Sequence, residues 1–143
     1  MRRIRWGRRS GTNRPTMTVS VSRFIPADPA MVWDLLVDTS RWAEWGPSVT
    51  AVDAEPVRLQ AGSTGRVRTR FGFWAPFVVN RFDEGRSWDW TVAGIAATSH
   101  TVQSARGGCR LTFGVPTVAA PYVLVCLVAM RRIERLARTP VTV

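Results

Sequence analysis

The sequence predicts an α+β fold, with one antiparallel sheet offering a face to a long C-terminal helix and two short helices near the N-terminus. Two observations carry the prediction. Between residues 49 and 115, short runs alternate apolar and polar side chains and are separated by turn signals, mostly glycine-bearing, as consecutive antiparallel strands require. On either side the apolar period becomes helical, briefly over residues 29–45 and at length over about 120–138. Strands in one block, rather than alternating with helices, place the chain in the α+β class.

The elements follow in order. Thr18–Ile25 alternates, with Val19, Val21 and Ile25 on one face, and is the first expected strand. Asp28 can cap the helix that follows. Pro29 suits its first position, where a missing N–H costs nothing. Val32, Trp33, Leu35, Leu36 and Val37 give that helix an apolar stripe to about Asp38. A second short helix is expected over Ser40–Trp45, stopped by Gly46-Pro47. Strands are then expected at Val49–Glu55, Arg66–Phe71, Phe77–Phe82, Arg86–Val92, Ala97–Ser104 and Cys109–Val115. Asp83-Glu84-Gly85 and Arg106-Gly107-Gly108 supply hairpin turns. Pro116 ends the sheet, and a helix is expected from Ala120 to Arg138. Its first half, Tyr122–Met130, is apolar all round and predicts enclosure by other elements. In its second half Ile133, Leu136 and Ala137 oppose Arg131, Arg132, Arg135 and Arg138, and the arginines suit the negative end of the helix dipole.

At 143 residues the chain has the size of one domain, and its 45% hydrophobic content excludes global disorder. Cys109 and Cys126 are too few for a disulfide framework and fit reduced core residues of a cytoplasmic protein. The formal net charge of +10 is unevenly spread. Arg2, Arg3, Arg5, Arg8, Arg9 and Arg14 crowd residues 1–16, which are expected to form a disordered tail, with Met17 a candidate alternative start. From Pro15 onward 14 arginines face 10 acidic residues, so the body is only mildly basic. The expected domain spans residues 17–138, with 139–143 a short C-terminal tail. The longest apolar run, Val118–Met130, is 13 residues and contains Pro121, short of the ~20 needed for a membrane span. The N-terminus lacks the apolar stretch of a signal peptide.

Several motifs carry a family resemblance: Ile25-Pro-Ala-x-Pro-Ala-x-Val-Trp33, Leu36-Val-Asp38 and Arg41-Trp-x-x-Trp-x-Pro47 followed by Val49. Weaker echoes are Trp88-x-Trp90, Ala93-Gly-Ile95, His100-Thr-Val102 and Gly108-x-x-Leu-Thr-Phe113. Residues 17 to about 138 thereby resemble the SRPBCC superfamily of START-like and polyketide cyclase/dehydrase-like proteins. The resemblance implies a helix-grip fold, a curved antiparallel β-sheet wrapped around a long C-terminal α-helix. It also implies an apolar cavity between the two, but no particular reaction.

Candidate ligand-binding residues are Trp45, Phe71, Trp88, Trp90, His100 and Tyr122. Large rigid rings suit a cavity for an acyl or polycyclic molecule. Trp33 and Trp42 are expected to pack the helical cap instead. Trp88 and Trp90 share one strand face, so they are buried or exposed together. His100, the only histidine, shares a face with Thr98 and Val102 and is either a hydrogen-bonded structural group or a proton donor to a ligand. Tyr122, the only tyrosine, can offer its hydroxyl to a ligand or satisfy it within the protein. The stripe Arg66-x-Arg68-x-Arg70 opposes Val67, Thr69 and Phe71 and is expected on the solvent side. One histidine and two distant cysteines supply no metal-binding cluster, and no cofactor or phosphate motif is present.

Three functions compete on these grounds. The first is a non-catalytic binding or carrier module for a lipid-like or polyketide-like molecule. The second is a cyclase or aromatase in which His100, Tyr122 and Arg70 act. The third is nucleic-acid or membrane-surface association through the Arg-rich tail.

Overall fold

A computed structural model describes residues 18–138. The tails expected at 1–16 and 139–143 lie outside the described residues. Strand β1 (Thr18–Ile25) leads into helix α1 (Pro29–Val37), a 3-10 turn at Thr39–Arg41 and helix α2 (Trp42–Trp45). Strands β2 (Val49–Ala54), β3 (Thr64–Thr69), β4 (Trp74–Asp83), β5 (Ser87–Val92), β6 (Ile95–Ala105) and β7 (Gly108–Pro116) follow. A 3-10 segment at Thr117–Tyr122 precedes the final helix α3 (Val123–Arg138). All strand pairings are antiparallel, in the order β1-β7-β6-β5-β4-β3-β2.

The local causes are those read in the sequence. The Asp28 carboxylate accepts from the Ala30 amide at 2.9 Å, and Pro29 opens the helix. Trp42 and Trp45 donate their indole N–H groups to the carbonyls of Leu36 and Leu35, at 2.9 and 2.8 Å. These bonds lash α2 back onto the end of α1, so the two helices close one end of the sheet as a unit. Register shifts in the β4–β5 and β5–β6 pairings, between Val79 and Phe82 and between Asp89 and Thr91, interrupt the ladder and let the middle strands bend. The concave face thus formed grips α3, whose Cys126, Ala129, Met130, Ile133 and Ala137 are buried. Arg23 of β1 holds Glu134 of α3 at 2.6 Å and fixes the helix to the sheet's first edge.

Three expectations need correction. The last helix begins at Val123, not Ala120: Thr117–Tyr122 is a 3-10 segment kinked at Ala119, and Pro121 within it has no N–H to donate. The third strand covers Thr64–Thr69 rather than Arg66–Phe71. Gly72, at φ 92°, closes a tight turn in which Thr69 and Phe73 pair, so Phe71 sits at a hairpin tip. The apolar first half of α3 is not enclosed on all sides. Leu124, Leu127 and Val128 face solvent, because a single sheet covers only one side of the helix it grips.

Gly108 is set by close approach. A Cβ on Gly108 would run into the backbone of Ile25 and Pro26, where β7 begins beside the end of β1. Gly108→Ala is expected to destabilise the domain by about 1–3 kcal/mol, read as a lower urea midpoint. An unchanged midpoint would mean the two strands separate there freely.

Candidate functional site

Between the concave face and α3 lies a cavity of about 460 Å³, opening at the end where the β3–β4 turn, the β5–β6 turn and the 3-10 segment meet. Its volume falls in the range that holds drug-sized ligands, ~300–1,000 Å³. The wall is built from the sheet by Val67, Trp88, Trp90 and Phe113, and from α3 by Cys126 and Ala129. Both cysteines are free and buried, and burial raises both thiol pKa values, that of Cys126 to about 11, so neither is a nucleophile near neutral pH.

Trp45, Phe71, Trp88, Trp90, His100 and Tyr122 all reach this cavity, but at different depths. Trp88 and His100 are directly opposite each other on β5 and β6 and stack with ring centroids 3.9 Å apart. Trp42 lies nearly parallel to Trp88 at 5.5 Å between ring centroids, and Trp90 meets both edge-on. Phe71 is at the opposite extreme, 89% exposed on the cavity rim. Tyr122 spans the rim, its hydroxyl 2.7 Å from that of Ser48, and burial holds its pKa above the usual phenol value.

The state of His100 follows from its neighbours. Trp90 Nε1 donates to Thr98 Oγ1 at 2.9 Å, which leaves the Thr98 hydroxyl hydrogen for His100 Nε2, also at 2.9 Å. His100 Nδ1 is 3.3 Å from the Trp88 carbonyl, an acceptor only, so Nδ1 carries the proton. Both nitrogens are therefore engaged in the neutral ring. Burial drives the His100 pKa down to about 3, only partly opposed by the Trp88 carbonyl. Among the described residues, two side-chain polar atoms of the wall are buried without a hydrogen-bond partner, Trp88 Nε1 and Thr69 Oγ1. Arg70, exposed on the rim, is the one charged side chain lining the cavity among the described residues.

The sequence reading missed Trp42 as a wall residue, though Trp42 and Trp45 are three apart and so share one side of a helical turn. It also missed Ala129 and Cys126. The spacing 126, 129, 130, 133, 137 is a 3.6-residue stripe and marks the buried face of α3. Arg66 and Arg68 lie on the solvent side as expected, with Arg66 paired to Asp53 at 3.1 Å and stacked over Trp74. No metal-binding cluster of His, Cys, Asp or Glu occurs among the described residues, and no described helix is long and apolar enough to cross a membrane.

Comparison with known proteins gives this architecture a family. Residues 16–135 match the model of the family described as polyketide cyclase / dehydrase and lipid transport. The chain belongs to that family. It is thus a member of the SRPBCC superfamily, in agreement with its Trp-rich motifs. An uncharacterized protein of Mycobacterium tuberculosis is 31% identical over 96 residues, covering 59% of this chain and 56% of that relative. The chain therefore matches little more than half the relative's length. Among solved structures, protein CV1439 of Chromobacterium violaceum superposes with a TM-score of 0.66 at 17% identity, covering 89% of this chain and 100% of the other. Ara h 8.0201 gives 0.64 at 16% identity, covering 85% and 97%. At such identities the likeness is one of fold, and the fold is the helix-grip fold expected for the family.

Proposed function

We propose that this family member is a cytoplasmic binding or carrier module for a hydrophobic small molecule, lipid-like or polyketide-like, held between the sheet and α3. The observation that carries the reading is the wall itself: about 460 Å³ bounded by aromatic and aliphatic side chains, with its charged residue only at the rim.

A cyclase or dehydratase reaction in the same cavity is the competing reading, with Tyr122 and Arg70 at the rim as its polar groups. Binding without chemistry is supported over it by the locked neutral state of His100 and the elevated pKa of Tyr122. A general acid or base works best with a pKa near the operating pH, and neither group has one.

The test is titration of the protein with lauric acid and with anilinonaphthalene sulfonate, read by tryptophan fluorescence, in parallel with an Ala129→Phe variant. Ala129 is buried against the cavity, so the added ring should occupy it and weaken binding by about tenfold or more. Because part of the ring enters existing space, the stability loss should not exceed the ~1–3 kcal/mol typical of an added ring in a core. Equal affinity in both proteins would place the ligand outside the cavity and overturn the proposal.

A further inference from the structure

The four most exposed large apolar side chains among the described residues come from segments at or next to the cavity mouth. Phe71 is 89% exposed, Ile95 71%, Val118 95% and Leu124 69%, and Leu127 and Val128 continue the outer stripe of α3. They come from three separate segments, the β3–β4 turn, the β5–β6 turn and the stretch from the 3-10 segment into α3, which converge at the cavity mouth. Large apolar side chains left this exposed around one opening mark a contact surface.

The charge around the set identifies what covers it. Residues 70–73, 93–96 and 117–131 contain no acidic residue. Arg70 stands beside Phe71, and Arg131 continues the stripe that begins at Leu124, Leu127 and Val128. Neither arginine has an ion-pair partner among the described residues. The next carboxylate along α3, Glu134, is already held by Arg23. A two-fold pairing of this patch with a second copy would set arginines against a surface with no carboxylates to receive them. An anionic lipid surface meets both requirements at once: acyl chains accept the apolar tips, and headgroups accept the guanidinium groups.

We infer that this rim docks on anionic bilayers and brings the cavity mouth against the lipid. The inference goes beyond the proposed ligand, since Val118, Leu124, Leu127 and Val128 do not line the cavity.

Flotation of the full chain with phosphatidylcholine vesicles, with and without phosphatidylglycerol, tests it. Binding should require phosphatidylglycerol and weaken with salt. The variant Val118→Ser/Leu124→Ser should bind such vesicles about tenfold or more weakly. Arg131→Gln should weaken binding less and flatten its salt dependence. Both variants should keep the parent's circular dichroism and its affinity for lauric acid. A second full-chain variant, with Arg2, Arg3, Arg5, Arg8, Arg9 and Arg14 replaced by Gln, separates the rim from the tail. The inference is overturned if no vesicle is bound, if the apolar variant binds as the parent does, or if only the tail variant loses binding. It is also overturned if the apolar variant instead dissolves a dimer seen by analytical ultracentrifugation. Loss of lauric acid binding by the Ala129→Phe variant, with vesicle binding intact, would leave the two proposals resting on separate results.

Discussion

Between pH 6.5 and 5 the domain is expected to lose stability at up to about 1.4 kcal/mol per pH unit, and the loss belongs to His100. The ring is neutral in the folded protein with a pKa near 3, against 6.5 for the free side chain. Above pH 6.5 neither state binds the proton, so stability is full. As pH falls below 6.5 the unfolded chain takes up a proton that the folded chain refuses, and stability declines until pH approaches 3. The whole difference is on the order of 5 kcal/mol, a large part of the ~5–15 kcal/mol that holds a typical domain together. Because His100 is the only histidine, the interval above the carboxylate range isolates it. Urea unfolding at a series of pH values should show the slope in the parent and a nearly flat line in His100→Gln. A parent that is flat from pH 7 to 5 would mean the imidazole is solvated or charged in the folded state. Its place in the Trp90–Thr98–His100–Trp88 chain would then be wrong.

Trp42→Ala should destabilise the domain by about 3–5 kcal/mol. Trp42 is buried, stacks on Trp88 and meets Trp90 and Phe77 at 5.3 and 5.6 Å between ring centroids. Its removal takes away the central ring of that cluster and leaves the Leu36 carbonyl without the indole that bonds it at 2.9 Å. It also merges the space of the lost ring with the cavity, so the surroundings have little to collapse onto. Trp42→Phe keeps part of the stacking and should lose less than half as much. A urea midpoint for Trp42→Ala within about 1 kcal/mol of the parent would show that α2 is not held through this ring.

Much of the site was legible residue by residue. Alternation alone put Trp88 beside Trp90 and Thr98 beside His100, because a strand's side chains repeat every two residues whatever its partner. What alternation does not contain is register across strands. That His100 stacks on Trp88, and that its Nδ1 finds the Trp88 carbonyl, depends on β5 and β6 pairing Trp88 with His100. The choice left open in the sequence, proton donor or hydrogen-bonded fixture, is thus a question about two strands. Phe71 shows the opposite failure. Its alternation with Val67 and Thr69 is genuine, but the turn at Gly72 ends the strand first and turns a candidate wall residue into an exposed rim residue.

The sequence by itself determined the class of the fold, the capped start of α1, the order of its elements and the faces of its strands. All of these follow from local periodicity, caps and turn residues, which act within a few positions of the chain. Only the tertiary structure decided that the apolar first half of α3 is covered on one side alone. A helix segment apolar on every side carries no mark of where its neighbour ends. Here the sheet stops at one face and leaves Leu124, Leu127 and Val128 outside. The cavity belongs to the same category, since its volume is the distance between two elements that no local pattern measures.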